Sequence, residues 1–152
     1  MQVDEYRISK LRNYLFNVIN TLTEDRNYQI NANMLSNKVD DYSLDKIPTE
    51  IEQESWITGS TLNREVYSFR SRKSYSQDTI LNLKNMGFFE QFENAIKTNN
   101  NEGNLPEITG IENIRCLNPF TMISNDNGNM ATFDIQIEIT YRENFEREII
   151  SL

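Results

Sequence analysis

The chain has 152 residues, enough to bury one full core without a disulfide or a structural metal. Fifteen Lys and Arg stand against 23 Asp and Glu, a net charge of −8, which disfavours general nucleic-acid binding because phosphate recognition depends on positive charge. Histidine is absent, which removes the commonest general acid–base and the commonest metal ligand, and the one cysteine, Cys116, cannot form an internal disulfide.

At the N-terminus, M-Q-V-D-E-Y-R has neither the basic n-region nor the apolar h-region of a signal peptide. No apolar run approaches the roughly 18 residues of a membrane span, so the expectation is a soluble, cytoplasmic chain. Ile8, Leu11, Leu15, Val18, Ile19 and Leu22 recur at three- and four-residue spacings and predict an amphipathic helix over 4–22. Arg7, Lys10, Arg12, Asn13 and Asn17 fall largely on its other side, and the polar T-L-T-E-D-R-N suits a turn after it. Asn27–Leu35 alternates loosely and predicts a short strand, with Tyr28 and Ile30 on one face and Ala32 an optional third. The next stretch, S-N-K-V-D-D-Y-S-L-D-K-I-P, is polar and ends on Pro48, which predicts a long loop with a local turn.

In Trp56–Arg72 the apolar positions Ile57, Leu62, Val66, Tyr67 and Phe69 predict one or two strands. Tyr67 and Phe69 share one face; Val66, Ser68 and Arg70 share the other; Gly59 marks a bulge or a bend. Ser74 opens a helical segment, with Gln77 completing an S-x-x-Q capping box, and Ile80, Leu81 and Leu83 begin its apolar stripe. Gly87 predicts a break or kink, since glycine in a helix interior costs about 1 kcal/mol relative to alanine. Phe88, Phe89, Phe92 and Ile96 then resume helical spacing to about Thr98, and N-N-N-E-G-N-L-P reads as a helix stop and loop.

Ile108–Leu117 alternates again, with Ile111, Asn113, Arg115 and Leu117 on one parity and Ile114 and Cys116 on the other. Ser124–Asn129 carries the Asn/Asp-Gly chemistry of a hairpin or a short exposed loop. The clearest pattern is Met130–Tyr141. Ala131, Phe133, Ile135, Ile137, Ile139 and Tyr141 point one way, and Thr132, Asp134, Gln136, Glu138 and Thr140 the other. Period two over this length is a strand buried on one face. It is expected to pair antiparallel with the segment between Ile111 and Ile123. The tail either ends this strand or docks as a short arm. The element order predicts one α+β domain over 1–152. Its sheet is single, antiparallel or mixed, and twisted, with two main helices on one face.

Four features invite a chemical reading. Arg64, Arg70, Arg72 and Lys73, interleaved with Tyr67, Phe69 and Tyr75, have the basic–aromatic character of a single-strand-binding face. The acidity of the whole chain favours a solvated strand edge or a protein interface instead. Asp134 and Glu138, with Glu112 nearby, face the wet side of the clearest strand. Four strand residues at about 3.3 Å each set those two roughly 13 Å apart, too far for a carboxylate dyad. Cys116 lacks a histidine to activate it and reads as a small buried apolar side chain. Asp40–Asp45, D-D-Y-S-L-D, lacks the glycine and the distal glutamate of an EF-hand loop and reads as a polar loop. The residues alone therefore predict a soluble α+β protein that is not an enzyme, with no metal-ligand cysteine set.

The block W-I-T-G-S-T-L-N-R-E-V-Y-S-F-R-S-R-K-S-Y-S-Q-D-T-I-L-N-L-K-N-M-G-F-F-E-Q-F-E-N-A-I resembles the middle of the small minor capsid or tail terminator proteins. These belong to tailed phages, prophages and phage-tail-like bacteriocins. L-P-E-I-T-G-I-E-N-I-R-C-L-N-P-F, then a loop, then A-T-F-D-I-Q-I-E-I-T-Y, is similar to the same family. The resemblance covers roughly Tyr6 to Tyr141. It implies a non-enzymatic α+β protein without cofactors, made in the bacterial host cytoplasm and placed in a virion tail or phage-tail-like particle. Such proteins form a ring with copies of themselves, commonly a hexamer, on the head-proximal end of the tail tube. The ring stops tube polymerisation, meets the sheath in contractile tails, and presents a surface to the neck or head connector. DNA would pass through the lumen without specific binding, and no membrane is involved. Two alternatives stay open: a neck or head-completion connector, and a small nucleic-acid-binding protein using the basic–aromatic run. For a ring subunit the expected contact segments are Arg64, Arg70, Arg72 and Lys73, then Asp40 and Asp41 in the 36–47 loop, and Asp126 and Asn127 in the 124–129 turn.

Overall fold

Two long strands organise the fold. β4 (Thr61–Ser74) and β7 (Met130–Glu143) pair antiparallel without interruption, from Thr61 opposite Glu143 to Ser74 opposite Met130. The computed structural model describes residues 2–23, 29–32, 35, 40–74, 79–126 and 130–144. On the outer edge of β4 lie β2 (Tyr42–Ile47) and β3 (Glu52–Ser55), both antiparallel to it, and β1 (Ile30–Ala32) joins β2 in parallel. On the outer edge of β7, β5 (Ile111–Cys116) and β6 (Thr121–Asp126) follow one another along its length, both antiparallel. The described residues thus form one mixed, seven-stranded sheet whose main path runs β1-β2-β4-β7-β5. With two helices, α1 (Arg7–Leu22) and α2 (Thr79–Glu102), the fold is α+β with a single sheet.

Alternation puts the helix-packed core on one face, although Val66, Ser68, Thr132 and Glu138 on the other face are also buried. The register sets Leu44, Phe69 and Ile135 in one row across three strands and Ile139 beside Ile114 in another. These side chains meet Leu11, Leu15, Val18 and Ile19 of α1 and Phe92 and Ile96 of α2 in one core. Tyr42 stacks on Phe69 at 5.3 Å, Phe69 on Phe92 at 5.5 Å, and Phe89 on Phe120 at 4.3 Å. Such ring pairs add about 0.5–1.5 kcal/mol each beyond area burial. Both helices therefore pack on the same face.

Several local expectations change. A 3-10 turn over Val3–Glu5 precedes α1, so the α-helix proper starts at Arg7. The stretch expected as a loop from 36 to 48, including D-D-Y-S-L-D, contains strand β2. Tyr42 and Leu44 supply its alternation and both are buried; the polar neighbours mask it because β2 turns them to the other face. β1 is short, with Ile30 buried but Ala32 exposed; Tyr28 lies outside the described residues. The strand β3 and the long pairing of β7 with β4 were not anticipated. Ile57, expected in a strand, sits in the turn between β3 and β4. Ser74 ends β4 and does not cap the helix, which starts at Thr79; Gln77 lies outside the described residues. α2 runs unbroken through Gly87 and continues through Asn99–Glu102 to Gly103, whose φ of 78° ends it. A register shift between Ile111 and Asn113 in β5 brings Ile111 onto the same face as Ile114 and Cys116. One extra residue at a bulge reverses parity, which strict alternation does not foresee. The tail beyond Asn144 lies outside the described residues.

Candidate interface on the open sheet face

Since β4 alternates, its arginines and its aromatics part company. Arg64, Arg70 and Arg72 share the face opposite the core, whereas Tyr67 and Phe69 are buried under the helices at 1% and 0% exposure. The aromatics thus offer no stacking platform beside the arginines, and Tyr75 lies outside the described residues. Lys73 also leaves the group. It faces the helix side, is buried, donates to Asp40 Oδ1 at 3.0 Å and to the Tyr42 hydroxyl at 3.1 Å, and lies 4.1 Å over the Phe88 ring.

On the open face, β7 and β5 complete an array of interleaved charge. Glu138 accepts from Arg115 Nε at 2.7 Å on one oxygen and from Arg64 Nε on the other. Burial alone raises a carboxyl's pKa, but the hydrogen bonds from Arg115 and Arg64 outweigh it and hold Glu138 below the usual range. Asp134 accepts from the Ser68 hydroxyl and lies 3.9 Å from Arg70 Nε. At the end of the same strand, Arg142 donates to Glu112 at 3.1 Å and covers the Trp56 ring at 4.4 Å. Asp134 and Glu112 each face one arginine, whereas Glu138, expected on the wet side of the strand, is buried at 5% exposure between Arg64 and Arg115, whose hydrogen bonds compensate its lost hydration. Arg70 and Arg115 keep 44% and 65% of their side chains exposed and are the most available cations of the array.

The remaining expected contact residues are dispersed. Asp40 adopts a left-handed φ of 64° at the entry to β2 and holds Lys73. Asp41 is buried and its carboxylate accepts from the Gln29 amide at 3.0 Å, so it fastens the β1–β2 corner. Asp126 ends β6 opposite Met130, and Asn127 lies outside the described residues.

One cluster was missed altogether. Glu65 points into the core face of β4 at 1% exposure. It accepts from Arg7 Nε at 2.7 Å, from the Tyr141 hydroxyl at 2.6 Å and from the Tyr67 hydroxyl at 2.6 Å, and lies 3.2 Å from Lys46 Nζ. Burial pushes Glu65 up, but the hydrogen bonds from Tyr141, Tyr67 and Arg7 outweigh it and leave the carboxyl below its ordinary value. Burial and then the neighbouring carboxylate drive both phenols above theirs. This network ties the start of α1 to the sheet. The one signal for it was a glutamate on the parity of Tyr67 and Phe69.

Cys116 lines a cleft of about 480 Å³ between α2 and β5, with Glu93, Lys97 and Pro119. Burial, reinforced by the charge of Glu93, pushes its thiol up to about 12, in keeping with a packed apolar side chain. Among the described residues no group of three or more Cys, Asp or Glu is placed to hold a metal ion, and no helix is long and apolar enough to cross a membrane. No family model matches the chain, and no curated protein matches its sequence.

Proposed function

We propose that the chain is a structural protein of a phage tail or phage-tail-like particle: a tail terminator that closes the head-proximal end of the tail tube as a ring of its own copies. The observation that carries this reading is the two-sidedness of the sheet. One face is sealed by both helices, while the other presents an ordered array of arginines and carboxylates without a helix over it among the described residues. A ring subunit needs unlike patches that meet head to tail, and interleaved charge sets register between neighbours. The sequence resemblance supplies the particular assembly, including its hexameric form and its contacts with tube, sheath and neck. The test is to add the protein to purified, uncapped tail tubes and to follow end-capping by electron microscopy. Wild type is expected to cap the tubes and stop their growth. Arg70→Glu with Arg72→Glu is expected to keep the fold, judged by circular dichroism, and to impair capping. A wild-type protein that leaves tube ends growing sinks the reading.

A further inference from the structure

The acidic counterpart of the arginine array lies on a different part of the same molecule. All four residues of β3 are exposed. With Glu50 just before it, Glu52 and Glu54 add two more carboxylates within five residues, and no basic residue stands between them; the register shift in β3 sets Glu54 beside Leu62 on the arginine side of the sheet and Glu52 beside Asn63 on the other, so the edge offers acid to both sides. Apolar side chains flank this acidic run in the open: Ile51 and Trp56 are partly exposed and Ile57 is 91% exposed. The turn that presents them is closed by two backbone hydrogen bonds. Trp56 N–H donates to Ser60 O at 2.9 Å, Gly59 N–H donates to Trp56 O at 2.9 Å, and Gly59 takes a φ of 96°, which favours glycine. Among the described residues β3 pairs with β4 alone, so its other edge is free.

β3 is held in the plane of the sheet by its pairing with β4. The exposed arginines Arg70 and Arg115 stand on the open face of β4 and β5, further along the sheet. One patch is acidic and apolar, the other is arginine-rich, and both belong to one chain. We infer that the β3–β4 hairpin of one copy docks on the arginine face of the next copy, its glutamates on Arg70 and Arg115. The occupant of the open face is a second copy of this chain, chosen by charge complementarity. The contact is heterologous: each copy gives a hairpin and receives one, so the assembly either closes as a ring or grows as a filament. Arginine suits the receiving side, because its planar fork takes carboxylates two bonds at a time. This inference rests on the ring reading for its closure, but the pairwise contact itself requires no tube.

Charge reversal tests it on the protein alone. Glu52→Lys with Glu54→Lys makes hairpin and face both basic. Arg70→Glu with Arg115→Glu makes both acidic. Each variant is expected to repel its own copies and to self-associate roughly a hundredfold more weakly than wild type, since like-charge juxtaposition across an interface is strongly unfavourable. Mixed in equal amounts at low salt, the two variants are expected to associate with each other, seen as faster-sedimenting species absent from either sample alone. All four residues stand on the surface, and thermal unfolding of each variant checks that the fold is kept. A mixture that sediments as the sum of its separate components overturns the contact. Association of the arginine-bearing variant with an anionic oligonucleotide, but not with its acidic counterpart, overturns it too. If the mixture associates while wild type leaves tail tubes uncapped, the contact stands and the tail-terminator reading falls.

Discussion

Glu65 stays ionised inside the protein because four donors surround it. Arg7, Tyr67, Tyr141 and Lys46 all reach its two oxygens, and the Arg7 guanidinium also lies 4.6 Å over the Tyr141 ring. Arg7 and Lys46 are each 44% exposed, so Glu65→Gln leaves no buried charge behind but weakens the buried bonds from Tyr67 and Tyr141, and is expected to cost about 1.5–3 kcal/mol of stability in urea unfolding. The pH dependence has a definite sign. Glu65 has a lower pKa folded than its ordinary value, so below that value the unfolded chain binds the proton first. Its contribution is present above the ordinary carboxylate range and is lost as pH falls through the folded value; Glu138, also lowered, adds to the same acid limb. The variant is therefore expected to show a shallower loss of stability on acidification. A Glu65→Gln protein with wild-type stability and an unchanged acid limb removes the network from any stabilising role. Of these partners only Tyr67, two residues on along the same strand face, is local; Arg7 and Tyr141 lie 58 and 76 residues away along the chain and could not be read beforehand. The parity of Glu65 told which face it takes, but not what waits there.

At the scale of an element, α2 shows how a propensity rule loses to packing. A glycine interior to a helix costs about 1 kcal/mol, whereas each fully buried Phe or Ile returns about 1.5–3 kcal/mol. Phe89, Phe92 and Ile96 are all buried on the turns after Gly87, and the helix continues unbroken past it. A Cβ at Gly87 meets nothing within 4 Å. Gly87→Ala is therefore expected to raise stability by about 0.5–1 kcal/mol, measured as a higher denaturation midpoint with the same m-value. A lower midpoint would mean that some contact needs the bare backbone there. Gly110 is the opposite case: its φ is 77° and an added Cβ would lie 2.0 Å from the Arg142 carbonyl oxygen, beside a backbone it must touch. The helix α1 and the strand β7 were legible because their apolar periods are long and nearly free of exceptions. β2 was not, since a six-residue strand shows its alternation only in Tyr42 and Leu44. The bulge in β5 was invisible, as nothing local distinguishes Glu112 from any other exposed strand residue.

For the whole molecule, the fold class followed from two helical stripes and one strand with a clean apolar face. The sheet order did not, because β4 and β7 are separated in sequence by α2, β5 and β6 and no local pattern encodes so distant a neighbour. The basic run shows why that order matters for function. As a string, Arg64, Arg70, Arg72 and Lys73 among aromatics suggest a nucleic-acid surface. In the fold, Tyr67 and Phe69 are buried, Lys73 turns to the helix side, Arg64 and Arg115 both hold Glu138, and Arg70 stands near Asp134. What faces outward is an arginine layer already partly neutralised by carboxylates, on a chain of net charge −8. Non-specific DNA binders reach dissociation constants of roughly 10⁻⁴ to 10⁻⁶ M at physiological salt by neutralising many phosphates at once. Here only Arg70 and Arg115 of the array keep much of their side chains exposed, too few cations to hold a phosphate backbone that the net charge of the molecule repels. The protein is accordingly expected to show no binding to single- or double-stranded DNA at micromolar concentration and moderate salt, by fluorescence anisotropy. Micromolar binding that weakens steeply with salt would show that the arginines release Glu138 and Asp134 for phosphate, and would make the open face a nucleic-acid surface instead of a subunit contact.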